Sequence, residues 1–188
     1  MLVDAFLVPL ISIVVMELGD KTQLAIIALS ATNRKPLLIF VGAMVAFSLV
    51  NGLGVLAGEG LLQVVPVAVL SKVSGLIFLL MGFFLIVKRT DADRPSRGMS
   101  GGALSTAFIS TFLAELGDKT QIATITLAAK YGAPAEVILG VMSALALVTG
   151  IGVALGAKFS DRIPRNRMRI VAGALLVAVG ALTLTGIL

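Results

Sequence analysis

Cysteine and histidine are absent from this chain of 188 residues, and only 13% of its residues are charged. The first absence removes disulfides, thiolate metal ligands and cysteine nucleophiles; the second removes imidazole ligands and imidazole proton relays. Any polar chemistry must therefore use carboxylates, amides, hydroxyls and amines. The scarcity of charge, with 58% of residues hydrophobic and a mean hydropathy of +1.08, excludes a water-soluble domain of this length, so the chain must be solvated by lipid. The N-terminal Met1-Leu2-Val3-Asp4 has no Lys or Arg ahead of its apolar run. It lacks the basic leader of a cleavable signal peptide, and the first apolar run is expected to stay in the mature protein.

Apolar stretches near residues 5–31, 37–58, 67–87, 102–129, 135–157 and 169–188 are each about as long as a helix crossing a hydrocarbon core roughly 30 Å thick. The expected fold is an all-α integral membrane protein of six transmembrane helices. Of the fifteen Lys and Arg residues, eleven lie in or beside three connections: Arg34 and Lys35; Lys88, Arg89, Arg94 and Arg97; Lys158, Arg162, Arg165, Arg167 and Arg169. With six spans these connections share one side. The other side has Lys72 and Lys130 beside Asp4, Glu59 and Glu136. The positive-inside rule makes the basic side cytoplasmic and puts both termini outside. The basic loops carry no interleaved aromatics and no binding motif, so they read as topology signals rather than as a nucleic-acid surface.

Displaced by 98 residues, the chain matches itself. Glu17-Leu18-Gly19-Asp20-Lys21-Thr22-Gln23 falls on Glu115-Leu116-Gly117-Asp118-Lys119-Thr120-Gln121, and Pro36, Gly42, Gly52, Gly54, Gly58, Pro66, Gly75 and Gly82 fall on Pro134, Gly140, Gly150, Gly152, Gly156, Pro164, Gly173 and Gly180. The protein reads as two copies of a three-helix unit, residues 1–87 and 102–188, joined by a cytoplasmic linker at 88–101. Three is odd, so the second copy enters the membrane from the opposite face. Inverted repeats of this kind are a recurring transporter architecture, with the substrate site near the midplane. Gly54-x-x-x-Gly58 and Gly152-x-x-x-Gly156 predict close helix packing of the second and fifth spans against the first and fourth.

Glu17, Asp20 and Lys21 fall near the middle of the first span, and Glu115, Asp118 and Lys119 near the middle of the fourth. On insertion scales each such group costs about 2.5 to 3.5 kcal/mol. At about 100° per residue an unbroken helix would put each triad on one face, directed into the bundle, with Thr22, Gln23, Thr120 and Gln121 flanking. The spacing also predicts Glu17–Lys21 and Glu115–Lys119 pairs within each helix, leaving Asp20 and Asp118 the less compensated carboxylates. Four acids against two lysines, as charge compensators, leave a net of −2 when all are ionised, which matches one divalent cation. The candidate ligands are hard oxygens only: Glu17, Asp20, Thr22, Gln23, Glu115, Asp118, Thr120 and Gln121. Such a set suits Ca2+, Mn2+ or Mg2+ and disfavours Zn2+ and Cu+. Ser48, Asn51 and Thr149 are further oxygens, with an interhelical hydrogen bond the plainer expectation for each.

Two bland or rival readings are weaker. Salt-bridge locks between the first and fourth spans would explain the charges, but intramembrane ionisable groups usually mark an ion or proton path. Intramembrane aspartyl proteolysis would explain two buried aspartates, but its Gly-x-Gly-Asp hallmark is replaced by Glu-Leu-Gly-Asp with a lysine after each aspartate.

With its duplicated Glu-x-Gly-Asp-Lys-Thr stretch, Glu17 to Thr22 and Glu115 to Thr120, the sequence resembles the cation/proton exchanger family that includes Golgi, chloroplast and bacterial manganese and calcium transporters. Both copies match that family's signature at every position, and the similarity runs over essentially the whole chain. The resemblance implies export of Mn2+ or Ca2+ from the cytoplasm in exchange for protons, with cation binding by the acids of both motifs. It implies a transporter and not an enzyme, with the metal as cargo and no cofactor, and with metal ions, protons and lipid as its partners. The chain has neither the N-terminal extension nor the longer central loop of eukaryotic relatives, which favours a bacterial inner-membrane member. Proton and metal then compete for the same oxygens. A cation channel is the main alternative, and a structural membrane subunit a lesser one.

The topology is open to direct test in this cysteine-free chain. A single cysteine at Arg94 or Asn166 is expected to be shielded from an impermeant thiol reagent in intact cells, while one at Gln63 or Gly132 is expected to react. The reverse pattern would invert the orientation.

Overall fold

The computed structural model describes residues 2–33, 35–57, 67–87, 100–162 and 165–186. Among these the fold is all-helical: α1 (Leu2–Glu17), α2 (Lys21–Asn33), α3 (Pro36–Ala57), α4 (Val67–Val87), α5 (Ser100–Glu115), α6 (Lys119–Tyr131), α7 (Pro134–Arg162) and α8 (Arg165–Leu184). Gly58, the basic residues Arg34, Lys88, Arg89, Arg94 and Arg97, and most of the expected linker lie outside the described residues.

The helix boundaries follow local chemistry. Pro36 and Pro134 open α3 and α7, where a missing N–H costs nothing and the fixed φ already suits a helix. Gly132 closes α6 with φ 58°, and its N–H donates to the Ala128 carbonyl at 3.0 Å, a left-handed cap that glycine adopts without a Cβ penalty. α3 and α7 are long and apolar enough to cross a membrane, and the bent pair α1–α2 makes a third such element when taken as one span. Gly75–Val87 of α4 and Ile170–Leu184 of α8 are shorter apolar stretches.

One expectation is overturned. The first and fourth apolar stretches are not single helices that carry Glu, Asp and Lys on one face. Each is broken at its motif, into α1 and α2 and into α5 and α6. The axes of α1 and α2 meet at 68°. The cause is Gly19 at φ 80° and Gly117 at φ 72°, a left-handed backbone through which a right-handed helix cannot run.

Equivalent helices pack reciprocally. α1 lies on α7 and α5 on α3; a Cβ on Gly140 would meet the Phe6 carbonyl, and one on Gly42 the Leu104 carbonyl. These two contacts are related by the same 98-residue offset that relates the motifs. α4 and α8 run antiparallel along a glycine seam: a side chain at Gly180 would place its Cβ 2.6 Å from the Gly75 carbonyl oxygen, and one at Gly82 would place it 2.6 Å from that of Gly173. Small residues let these backbones touch, which in lipid supplies the packing that apolar burial cannot. Phe47, Ile13, Ile39 and Leu145 fill the main core, and Phe78 and Leu176 a second one. Leu7, Val15, Leu37, Leu53, Phe84 and Leu139 remain exposed and apolar, as lipid contact requires.

The reciprocity stops at the second half of each broken pair. α2 is enclosed by α3, α5, α7 and α8, and from Lys21 to Ala31 it has no exposed residue. A Cβ on Gly156 would stand 2.5 Å from the Ile27 carbonyl oxygen, and the Ser30 hydroxyl donates to the Val153 carbonyl at 2.8 Å. α6 meets α1, α3 and α7 but keeps Ile122, Thr126, Ala129 and Lys130 exposed.

Candidate metal centre

Each break interrupts the backbone ladder where water is scarce, so the freed groups need partners. Leu18 N–H still donates to the Val14 carbonyl, Asp20 N–H turns back to the Glu17 carbonyl at 3.1 Å, and the new helix starts with Leu24 N–H on the Asp20 carbonyl at 3.0 Å. Gly19 N–H is taken by Gln23 Oε1 at 2.6 Å. The second motif repeats this: Asp118 N–H donates to the Glu115 carbonyl, Ile122 N–H to the Asp118 carbonyl, and Gly117 N–H to Gln121 Oε1 at 2.8 Å. Gln121 Nε2 also donates to the Val50 carbonyl at 3.1 Å. Gly54 and Gly152 make room for these glutamines; a Cβ on Gly54 would stand 3.1 Å from Gln121 Cγ, and one on Gly152 3.6 Å from Gln23 Cγ. The sequence signalled close packing of these glycines against the first and fourth spans, but not that the side chains they make room for are the glutamines that brace the breaks.

The four carboxylates converge. Glu17, Asp20, Glu115 and Asp118 each present one oxygen within 4.8 Å of the others. Glu17 is 2% exposed and Glu115 1%. Their partners come from the opposite motif. Thr22 donates its hydroxyl to Glu115 Oε1 at 2.6 Å, and Thr120 donates to Glu17 Oε1. The Lys21 ammonium lies 2.6 Å from Asp118 Oδ1, and that of Lys119 2.5 Å from Asp20 Oδ1. The expected Glu17–Lys21 and Glu115–Lys119 pairs are therefore replaced by crossed ones. The break supplies the reason: glutamate ends one helix and lysine begins the next, so the i, i+4 geometry does not exist. The aspartates, expected to be the less compensated acids, are the ones that carry the ammonium groups.

Three carboxylate oxygens, Asp20 Oδ2, Glu115 Oε2 and Asp118 Oδ2, are buried without a hydrogen-bond donor. Asp118 occupies the N-cap position of α6 but makes no side-chain cap bond, so its carboxylate is not spent on the helix end. Unpartnered carboxylate oxygens in an apolar interior are strongly unfavourable unless a cation or a proton neutralises them. Thr22 and Thr120 donate hydrogen bonds to glutamate and keep lone pairs. Gln23 and Gln121 turn their amide oxygens to the glycine N–H groups, which places them as braces of the break. Asn51 lies beside the site as an interhelical partner, its Oδ1 2.9 Å from the Thr124 hydroxyl. Ser48 bonds its own helix at the Met44 carbonyl, and Thr149 is buried.

The sequence profile of the divalent cation/proton antiporter GDT1 family matches residues 5–93 and 103–187. The chain belongs to that family. Among its relatives, a protein of Vibrio cholerae named for manganese export is 33% identical over 89% of this chain and 84% of its own length. A GDT1-like protein of Synechocystis is 30% identical over 93% of both chains, and one of Schizosaccharomyces pombe is 26% identical over 87% of this chain and 76% of its own. No solved structure matches. Membership of an antiporter family agrees with a centre built of buried carboxylates from two equivalent motifs.

The break can be tested apart from the acids. Gly19→Ala and Gly117→Ala put a Cβ on a left-handed backbone, and each is expected to cost about 1 to 2 kcal/mol, read as a lower melting temperature in detergent. Gly52→Ala, in α3 with nothing within 4 Å of the added Cβ, is expected to be neutral or to gain up to about 1 kcal/mol. Unchanged melting of both motif variants would show that the centre does not depend on the break.

Proposed function

We propose that the protein is a secondary antiporter that exports Mn2+ or Ca2+ from the cytoplasm in exchange for protons, by alternating access to the centre formed by its two motifs. The observation that carries this reading is the cluster of four carboxylates with three buried, donorless oxygens, set against only two ammonium groups. With all of them ionised the cluster holds a charge of −2, which one divalent cation neutralises. Its oxygens are hard ligands, and the flexible geometry they offer suits Ca2+ or Mn2+ better than metals that seek nitrogen or sulfur. The name of the Vibrio cholerae relative points to manganese.

In this reading α1–α2, α3, α4, α5–α6, α7 and α8 make six passages in two inverted halves. The antiparallel α4–α8 seam and the reciprocal contacts of Gly42 and Gly140 support inversion. The charge asymmetry of the connections places both termini outside a bacterial inner membrane. α2 then lies in the cytoplasmic half and α6 in the outer half. The enclosure of α2 and the exposed face of α6 correspond to a carrier closed inward and open outward, and rocking of one half on the other would exchange these packings. Facing out, protons displace the metal from the carboxylates; facing in, metal displaces protons. The chemistry is transport of an ion rather than conversion of a substrate.

The test is reconstitution into liposomes with metal and pH reporters read together. Mn2+ or Ca2+ flux is expected to drive opposite proton movement and to be driven by a proton gradient, with Zn2+ and Cu+ poor cargo. Asp20→Asn and Asp118→Asn are expected to fold and to lose transport about tenfold or more per folded molecule, because an amide lacks the charge that offsets a dehydrated divalent ion. Metal flux with no proton coupling would identify a channel, no flux would identify a structural subunit, and full transport by either Asn variant would remove that aspartate from the mechanism.

A further inference from the structure

The two motifs are identical in sequence but differ in what surrounds their lysines. Lys21 and Lys119 each begin a half-helix, and each ammonium sits on the aspartate of the other half. The Lys21 side chain is nonetheless 4% exposed and that of Lys119 45%, while the aspartates they meet are 14% and 7% exposed. Packing accounts for the difference. Lys21 starts α2, which is enclosed along its length, whereas Lys119 starts α6, which keeps one face open through Ile122, Thr126 and Ala129.

A divalent cation bound by these carboxylates would stand within a few Å of both ammonium groups. Like charges at that range repel strongly even with generous protein screening. A lysine can relieve this by swinging its compact ammonium away on its flexible four-carbon stem, provided that there is space to receive it. Only Lys119 has that space. The aspartates themselves do not distinguish the two sides, since Asp20 Oδ2 and Asp118 Oδ2 are both buried and donorless; the space beside the lysine does.

We propose that Lys119 is the displaceable counter-cation of this centre: its ammonium holds Asp20 in the metal-free protein and leaves through the open side of α6 when a divalent cation binds, while Lys21 stays on Asp118 as a fixed brace between the halves. This rests on reading the four carboxylates as the cation site, and adds how the metal-free site is kept from standing uncompensated. Lys119 is thereby a positioning residue for the exchange. The metal gains access along α6, and its competitor for Asp20 is tethered to the chain.

The wild-type protein in detergent suffices for the test. Limited acetylation with a water-soluble amine reagent at fixed pH, quantified by peptide mass spectrometry with and without Mn2+, reads each lysine separately; Lys72 and Lys130, both exposed, serve as references. Calorimetry on the same preparation reports Mn2+ binding. Saturating Mn2+ is expected to raise the labelling rate of Lys119 severalfold and leave that of Lys21 low. Measurable Mn2+ binding with Lys119 labelling unchanged or slowed, or with Lys21 gaining as much, would overturn the inference while leaving the metal site intact. Absence of both Mn2+ and Ca2+ binding by calorimetry would overturn the metal site, and the inference with it; where Ca2+ alone binds, the labelling is read with Ca2+.

Discussion

Four carboxylates held within 4.8 Å of one another inside an apolar bundle repel one another and shed most of their hydration, so positive charge must be delivered to that place. Much of the surrounding architecture meets this single constraint. Each motif receives an ammonium group from the other, two threonine hydroxyls donate hydrogen bonds to the glutamates, and three oxygens are left over. A fully compensated cluster would be a lock. In the proposed function, one that is short by two positive charges when all its acids are ionised receives a divalent cation or protons, and that shortfall is what an antiporter would use.

The compensation is crossed, and this ties the chemistry to the mechanics. Each motif is completed by groups from the other, so relative movement of the halves alters the distances among the carboxylates and their partners together. The helix breaks make such crossing possible by turning lysine and threonine off the axis that carries glutamate. Gln23 and Gln121 keep the breaks tolerable in a dry environment by accepting the glycine N–H groups. Glycine seams let α4 and α8 touch along their backbones. With α2 enclosed and α6 partly open, the same motif experiences two surroundings, an asymmetry on which the proposed alternating access would act.

Much of this was legible in the residues. The 98-residue repeat, the absence of any nitrogen or sulfur ligand from His or Cys and the count of four acids against two lysines are properties of composition and order, so they are readable without coordinates. The breaks were not. Glycine is common in membrane helices, and nothing in its spacing says that Gly19 and Gly117 take positive φ; an amphipathic wheel drawn through an unbroken helix then put Glu17 and Lys21 within reach of each other. The crossed pairs depend on how α2 and α6 approach, which is a tertiary fact with no local periodicity. The glutamines illustrate the same limit: the sequence offers their amide oxygens as ligands, and the further demand on those oxygens, a glycine N–H freed by the break, appears only once the break is known.

The central claim is that two motifs make one cation site, and locating the metal tests it most directly. Anomalous scattering from crystals grown with Mn2+ is predicted to show one peak per chain among Glu17, Asp20, Glu115 and Asp118, with carboxylates of both motifs as ligands. Two peaks, one confined to each motif, or a peak out of reach of these carboxylates, would contradict the account.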